Sequence, residues 1–268
     1  SAGDRGRGKR EAGERDGMQE IEAADAPQWK LSRVKDILRG GGRKAIVVDD
    51  EENIVDAIEY GVQIEEIYCS EGYRPEMEAT AEILRPYETF RLAPATLARL
   101  FKAEKRSRIF AVAKAPRRRR LEDLRGADGD VVALDGVRLL GNIGAIARTA
   151  TAFDAAGLVL LDSNLTSVFD RRLTRASRAL NFALPIVLAD RREFLAFAED
   201  DARPVVLLDR GGTGTLERSL SAPHPVALVM GSERTGASEE IEAAAAVRCE
   251  IPISGRVESL NVSVAAGI

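Results

Sequence analysis

The amino-acid sequence predicts an α/β protein of two units, with a parallel sheet in the second. Two observations lead to this prediction. From about residue 31 to residue 115, and again from residue 131 onward, short apolar segments typical of strands alternate with segments whose apolar residues recur at helical spacing. In the second series the strands are continuous apolar runs, which indicates a parallel sheet covered by helices on both faces.

Changes in composition set the predicted boundaries. The N-terminal residues are rich in Gly, Arg, Glu and Ala without periodicity and are predicted to be a disordered tail, in which Met18 is a candidate natural start. The chain ends at Ile268 inside a predicted helix, so we expect that helix to be truncated. The predicted segments are a tail at 1–26, a first α/β unit at 27–115, a basic linker at 116–130 and a second unit at 131–268.

Each unit alternates between the two element types. In the first, we predict strands at 44–50, 64–70, 87–93 and 108–115, and helices at 51–61, 75–85 and 94–104. In the second, we predict strands at 131–137, 157–162, 204–209, 225–231 and 248–253, and helices at 142–153, 170–180, 190–200 and 238–246. Ligands of parallel sheets bind beyond the carboxyl ends of the strands, so the loops after these strands are candidate site segments.

Composition excludes several classes of protein. No apolar run approaches the ~20 residues that span a bilayer, and the N-terminus has no apolar stretch typical of a secretory signal. Cys69 and Cys249 lie far apart, which favours a reduced, cytoplasmic protein. His224 is the single histidine and lies in a Pro-rich stretch, where we expect a solvated loop residue. A His-rich metal site is therefore excluded, no metal is predicted, and a His-based triad is disfavoured.

Positive charge is concentrated in local runs. The net charge is −4, yet three segments are rich in Lys and Arg, at 102–108, 117–120 and 170–178. A single basic run is usually a solvated face. Three of them in a mildly acidic chain favour a polyanionic partner bound on one face.

Two loops of the second unit carry glycine patterns. In "LLGNIGAIARTATAF" (139–153), Gly141 and Gly144 flank a helix start at which Asn142 is a candidate N-cap. The pattern lacks G-x-G-x-x-G, so a dinucleotide fold is not supported. In "VMGSERTGAS" (229–238), Ala237 stands where a phosphate-binding loop needs lysine, which argues against an NTPase and leaves Glu233 beside a strand end.

The third candidate segment is the C-terminal "ESLNVSVAAGI". Ser259 and Asn261 suit a helix start, and Leu260 is an apolar anchor between them. Small residues after them permit close packing of backbones. Taken alone, this segment would be a core helix.

Taken together and in this order, the three segments resemble the SPOUT superfamily of RNA methyltransferases, in its 2′-O-ribose (TrmH/SpoU) branch. "NIGAIAR", "GSERTG" and "SLNVSVAAG" match the three motifs of that branch. Flanking stretches such as "LFKAEKRSRIFAVAKAPR" and "DRRLTRASR" are similar to the thiostrepton/nosiheptide-resistance methyltransferases, which methylate an adenosine ribose of 23S ribosomal RNA. The resemblance implies a ribosomal-protein-like RNA-binding domain, a C-terminal trefoil knot that builds the S-adenosylmethionine pocket, and a homodimer.

The resemblance also implies roles for individual residues. Arg148 would be catalytic, although arginine stays protonated in proteins, so it would act either as the base proposed for the family or by orienting the ribose or phosphate. Arg178 would bind substrate phosphate from the partner subunit. Asn142, Glu233, Ser259 and Asn261 would complete the site. The expected cofactor contacts, largely backbone, are Leu208, Asp209, Gly231, Ser232, Glu233, Ile251, Leu260, Asn261, Val262, Ser263 and Val264.

One departure and two alternatives accompany this interpretation. The family usually has Gly where this chain has Ala179, so the loop there is expected to differ. The chain could instead methylate transfer RNA or another ribosomal position, or be a catalytically inert RNA-binding protein.

Overall fold

The computed structural model describes residues 21–40, 44–102, 107–212, 214–215 and 225–268. Residues 1–20 of the predicted tail, including Met18, residues 103–106 of one basic run and His224 lie outside this part of the chain. The chain divides into two compact units between Ala115 and Pro116. Within the described ranges, no helix is both long and apolar enough to cross a membrane.

The first unit is a mixed sheet with helices. Its elements are β1 (Ala24–Asp25), α1 (Gln28–Leu38), β2 (Ala45–Asp49), α2 (Glu51–Glu59), β3 (Ile64–Ser70), α3 (Glu78–Leu84), β4 (Thr89–Leu92), α4 (Pro94–Phe101) and β5 (Ile109–Lys114). The strand order is β1-β4-β3-β5-β2. The pairs β1–β4 and β4–β3 are parallel, whereas β5 pairs antiparallel with β3 and β2.

An aromatic cluster fills the core of this unit. The Tyr68 and Phe110 rings stack with their centroids 4.9 Å apart, and Phe101 meets Phe110 edge-on at 5.1 Å. Lys30, itself buried, donates to the Glu66 carboxylate and lies 4.3 Å above the centroid of the Phe90 ring. The buried lysine is therefore paired, as a buried charge must be.

Two elements of this unit differ from prediction. Helix α1 was not predicted, because the buried Lys30 interrupts the apolar face that Leu31 and Val34 turn to the core. The tail was predicted to extend to residue 26, but Ala24–Asp25 pair with Phe90–Arg91 through the backbone. A two-residue strand held by its backbone leaves no side-chain pattern to detect.

The second unit contains a fully parallel sheet. Its elements are a 3-10 helix (Leu121–Leu124), β6 (Val131–Asp135), α5 (Leu140–Ala152), β7 (Gly157–Leu161), α6 (Arg171–Ser177), a 3-10 turn (Leu180–Phe182), β8 (Ile186–Ala189), α7 (Arg191–Asp200), β9 (Val205–Leu208), β10 (Gly214–Thr215), β11 (Ala227–Gly231), α8 (Glu239–Ala244), β12 (Val247–Glu250) and α9 (Val262–Ala265). The strand order is β10-β12-β9-β11-β6-β7-β8. All of these pairs are parallel, so the strands end at one common edge.

The segment predicted as a linker, 116–130, is partly built into this unit. Leu124 is buried in its core, against Gly157, where an added Cβ would lie 2.7 Å from the leucine side chain. Arg203, also buried, donates to the carbonyls of Gly129 at 2.7 Å and Ala127 at 2.5 Å. Too few apolar residues occur in this basic stretch for a pattern to predict its anchoring. Strand β8, which follows Pro185, was likewise not predicted.

Candidate active site

A cavity of about 680 Å³ opens at the carboxyl edge of the parallel sheet, where β9, β11 and β12 end. Its walls come from three chain segments that follow those strands. The lining residues are Leu208, Asp209, Arg210, Met230, Gly231, Ser232, Glu233, Arg234, Thr235, Gly236, Glu242, Glu250, Ile251, Pro252, Ile253, Ser259, Leu260, Val262 and Ala265. Its size is that of a site for a small molecule.

The loop after β11 is a tight turn that requires glycine at its start. An added Cβ at Gly231 would lie 2.2 Å from the backbone nitrogen of Ala237 and 2.2 Å from the carbonyl carbon of Gly236. The turn closes through paired backbone hydrogen bonds of 3.1 and 2.9 Å between Ser232 and Gly236. The Ser232 and Thr235 hydroxyls lie 2.7 Å apart inside it. This geometry places Glu233 in the turn, where its side chain lines the cavity.

The C-terminal segment is held against the loops after β9 and β11. Arg210 donates to the carbonyl of Glu258, and the backbone N–H of Val262 donates to the Glu233 carboxylate at 3.0 Å. Asn261 is the N-cap of α9, since its Oδ1 accepts from the N–H of Ser263 at 2.9 Å. Two acceptors thus satisfy N–H groups at the start of this helix.

A further contact joins this segment to α5. The Nδ2 of Asn261 donates to the Oδ1 of Asn142 at 3.1 Å. The prediction that Asn142 caps α5 was wrong, because the helix begins at Leu140, after Leu139 at the N-cap position. Asn142 lies instead in the first turn, where its side chain reaches Asn261. Side chains of the three sequence motifs therefore form one connected network.

A buried carboxylate fixes the far end of the loop after β11. Asp135, at the end of β6, is 1% exposed and accepts from the N–H of Ser238 at 2.7 Å and from Arg191 at 2.8 Å. The pKa of Arg191 is raised, chiefly by its hydrogen bond to Asp135. Neither residue was predicted from the sequence. The one local signal for Asp135 is a charged residue at the end of a buried apolar strand.

Acidic side chains line part of the cavity. Asp209 follows β9 and pairs with Arg248 at 2.6 Å, and Glu242 lies 3.6 Å from the same guanidinium. The hydrogen bond to Asp209 is the main cause of the raised pKa of Arg248. Glu250 accepts from the N–H of Gly211 at 3.1 Å. Of these three acidic residues, only Asp209 was predicted from the sequence.

The two predicted arginines, Arg148 and Arg178, do not line the cavity. Arg148 and Arg178 are exposed, and neither makes an ion pair or side-chain hydrogen bond with any residue that the structure describes. Their helices pack closely, since an added Cβ at Gly144 would lie 2.4 Å from the backbone of Ala176. Arg148 lies one turn after Gly144, on the helix face that meets α6. Gly144 therefore serves helix packing rather than the helix start.

Arg178 and the residue after it end α6 in an unusual backbone conformation. Arg178 has φ 52° and Ala179 has φ 59°, both in the left-handed region that favours glycine. The position where the family usually has Gly is therefore one that requires positive φ, and Ala179 is fully buried there.

The remaining predicted residues divide in two. Of the residues predicted to contact a cofactor or complete the site, Leu208, Asp209, Gly231, Ser232, Glu233, Ile251, Ser259, Leu260 and Val262 line the cavity, whereas Asn142, Asn261, Ser263 and Val264 do not. Val264 is 53% exposed on the outer side of α9. In the part of the chain that the structure covers, no group of three or more His, Cys, Asp or Glu side chains is arranged to hold a metal ion.

Comparison with known proteins decides the family. The model of the SpoU rRNA methylase family matches residues 130–268, just over half of the chain. The chain belongs to this family. Because the chain belongs to a family of RNA methylases, its enzymatic function is methyl transfer. The model of the thiostrepton-resistance methylase N terminus matches residues 18–127.

Individual relatives agree with this assignment. The chain is 39% identical to the 23S rRNA (adenosine(1067)-2′-O)-methyltransferase of Streptomyces azureus and 41% identical to that of Streptomyces laurentii, in each case over 84% of both chains. Among solved structures, an RNA 2′-O ribose methyltransferase matches with a TM-score of 0.76 at 23% identity, covering 91% of this chain and 95% of that one. The SpoU methyltransferase AviRb of Streptomyces viridochromogenes, in complex with AdoMet, matches with a TM-score of 0.75 at 24% identity, covering 89% of this chain and 94% of that one. These two structural similarities show that the chain has the fold of those proteins.

Proposed function

We propose that this chain uses S-adenosylmethionine to methylate the ribose 2′-hydroxyl of an adenosine in 23S ribosomal RNA, and so confers resistance to thiopeptide antibiotics such as thiostrepton. One observation carries the proposal: segments of three family motifs are joined by side-chain hydrogen bonds at the carboxyl edge of the parallel sheet, and the second and third of them line a cavity there. The named activity of the two Streptomyces relatives supports the choice of substrate.

The cavity suits S-adenosylmethionine. Apolar side chains of Leu208, Ile251 and Leu260 offer a wall for adenine, and the irregular backbone around them offers donors and acceptors for its edges. Carboxylates of Asp209 and Glu250 offer acceptors for hydroxyl or ammonium groups. When bound, the cofactor supplies an electrophilic methyl group on its sulfonium.

The residues of the chain then have two tasks, alignment of the ribose and removal of its proton. Arg148 is suited to alignment, because its exposed guanidinium is free of partners among the described residues and can pair with phosphate in a bidentate manner. Glu233 is engaged with the N–H of Val262 and so holds the terminal segment in position. We assign Arg148 as catalytic through orientation of the substrate.

A C-terminal trefoil knot is part of the proposal. Knots are rare among folds, so the family resemblance carries most of this inference. It is supported by the position of residues 251–262, which follow β12 and are bonded on one side to Arg210 after β9 and on the other to Glu233 after β11.

The first unit, expected at residues 27–115, is proposed to bind RNA. Its match to the thiostrepton-resistance N-terminal model supports this role. Ultraviolet cross-linking of the full chain to a ribosomal RNA fragment, with peptide mapping, checks it. Cross-links are expected within residues 27–115, and cross-links confined to the second unit would contradict the role.

We further propose a homodimer in which Arg178 serves the cavity of the partner subunit. Leu139, Phe153 and Val264 are large apolar side chains exposed by 53–76%, which supports an interface beside α5 and α9. The position of Arg178 outside the cavity lining of its own subunit supports the sharing.

Mixing two inactive variants tests this arrangement. In a heterodimer of Arg178→Ala with Gly231→Ala, a shared site combines one intact cavity with one intact arginine. Random exchange at equal amounts should then restore about a quarter of wild-type activity, because half the dimers carry one working site in two. Activity near zero, with dimers confirmed by sedimentation and folding by circular dichroism, would mean that Arg178 serves its own subunit.

The function itself is tested by methyl transfer from labelled S-adenosylmethionine to 23S ribosomal RNA and to transfer RNA. We expect label in 23S RNA, as a 2′-O-methyladenosine found by mass spectrometry of nucleosides. Label only in transfer RNA would mean that the substrate is transfer RNA and not 23S ribosomal RNA. Absence of label in both, with RNA still bound, would make the chain an inert RNA-binding homologue.

A further inference from the structure

Three arginines at the start of the second unit lie outside the cavity lining. Arg118, Arg119 and Arg120 are exposed, and none makes a side-chain hydrogen bond or ion pair with any residue in the described ranges. The neighbouring Arg117 differs, since it forms a bidentate pair with Asp123 at 2.8 and 3.1 Å. We name residues 118–120 the arginine arm.

The arm is held firmly at its base. The Asp123 carboxylate that binds Arg117 also accepts from the backbone N–H of Arg120 at 2.8 Å, and the pKa of Asp123 is lowered, chiefly by Arg117. One turn later Leu124 is buried in the core of the unit. The three guanidinium groups therefore extend from an anchored backbone, which reduces the entropy lost when they bind a ligand.

The arm lies at the amino edge of the parallel sheet, opposite the cavity. The 3-10 helix after the arm packs against Gly157, at the start of β7. Arg203, which lies just before β9, donates to the carbonyls of Ala127 and Gly129 and so holds the segment after the 3-10 helix at the same edge. The cavity lies where the same strands end. Strands of four or five residues separate the two edges by roughly 15 Å. A ligand of the arm thus cannot be the reacting ribose.

We propose that the arginine arm binds the sugar–phosphate backbone of the RNA substrate at a position away from the methylated nucleotide. Three adjacent guanidinium groups that form no hydrogen bond or ion pair with the described residues suit a row of phosphates, which they can contact singly or in bidentate pairs. This inference rests on the proposed function, because it takes RNA as the substrate. The arm would contribute affinity and register, not chemistry.

The test compares two triple variants of the full chain. Arg118→Gln/Arg119→Gln/Arg120→Gln removes the charge, and the matched triple Arg→Lys variant keeps it. Binding of a 23S RNA fragment is measured across a range of salt concentrations. For the Gln variant, we expect the slope of log affinity against log salt to fall by roughly 2–3, at about 0.7–0.9 for each phosphate that the variant no longer neutralises, whereas the Lys variant should keep the wild-type slope.

Kinetics and a charge control complete the design. The Gln variant should raise KM for RNA by about tenfold or more and leave kcat unchanged. The arm would bind the RNA equally in the ground state and in the transition state, so its loss weakens binding and not the chemical step. Both triples should melt within roughly 2 °C of wild type, because the changed side chains are exposed. Arg125→Gln, which removes an arginine already near Asp200, should leave the salt slope unchanged.

An unchanged salt slope in the Gln variant would overturn the proposal, and so would a fall in kcat at unchanged KM. Failure of the wild-type chain to methylate any RNA would instead overturn the proposed function. The two failures can be distinguished, because RNA binding is measured separately from methyl transfer.

Discussion

The two edges of the parallel sheet differ in how their residues are held. At the amino edge, Arg203 is buried among Asp201 and two backbone carbonyls, and Leu124 packs in the core. At the carboxyl edge, Asn142, Glu233 and Asn261 meet through single hydrogen bonds at the surface. The first arrangement stabilises the unit, whereas the second organises a cavity and contributes little to stability.

The difference indicates that stability and activity can be changed separately in this protein. Buried charges with several partners are costly to disrupt, whereas exposed polar contacts are worth about 1 kcal/mol or less. Variants at the amino edge should therefore lower the melting temperature and spare the cavity. Variants of Asn142, Glu233 or Asn261 should do the reverse, whereas the buried Asp135 at the carboxyl edge is expected to behave like the residues of the amino edge.

The largest effect is expected from Arg203→Met. The change leaves the carbonyls of Ala127 and Gly129 without the guanidinium donors and leaves the half-buried Asp201 carboxylate with the N–H of Gly126 alone, at a cost of about 3–5 kcal/mol. The melting temperature should fall by roughly 10 °C. At a temperature where the variant is folded, its affinity for S-adenosylhomocysteine should match that of wild type. An unchanged melting temperature would remove the amino edge from the account of stability.

Arg148→Ala should affect activity alone. Removal of the guanidinium should lower kcat by about 100-fold or more, because alignment of the ribose is lost. Affinity for S-adenosylhomocysteine, measured by calorimetry, should stay within about threefold, since Arg148 does not line the cavity. Arg192→Ala, another exposed arginine of this unit, is the matched control and should retain full activity. Parallel loss of cofactor affinity in Arg148→Ala would make the residue structural.

Glu233→Ala should have an intermediate effect at the same edge. The variant leaves the N–H of Val262 without its acceptor, and such a charge-assisted bond is worth about 1.5 kcal/mol. Affinity for S-adenosylhomocysteine should therefore fall about tenfold. Glu233→Gln keeps an acceptor oxygen and should lose less. Equal affinities in wild type and both variants would show that this contact does not hold the terminal segment.

The smallest effect is expected from Ala179→Gly. Ala179 belongs neither to the buried contacts of the amino edge nor to the three motifs at the carboxyl edge. Ala179 has φ 59°, which costs an alanine about 1 kcal/mol relative to glycine. The variant should be more stable by about 0.5–1 kcal/mol, with a melting temperature higher by roughly 2 °C. Chemical denaturation provides the measurement. A less stable variant would mean that the buried methyl group contributes more than the strained backbone costs.

The sequence predicted the carboxyl edge better than the amino edge, for a physical reason. Loops after parallel strands meet at one edge whatever their separation in the chain, so three motifs could be assigned to one site before the structure was known. The 119-residue separation between Asn142 and Asn261 left their hydrogen bond unpredictable from local pattern. The anchoring of Leu124 and Arg203 was likewise missed, because each is a single buried residue in a polar stretch.

We propose that the three motifs organise the cofactor site at the carboxyl edge, where the second and third of them line the cavity. A crystal structure of the protein with S-adenosylhomocysteine tests this proposal. We predict ligand density in the cavity between Gly231, Ile251 and Leu260, with the adenine against the apolar wall. Density at any other place in the molecule, with this cavity empty at saturating ligand, would contradict the account.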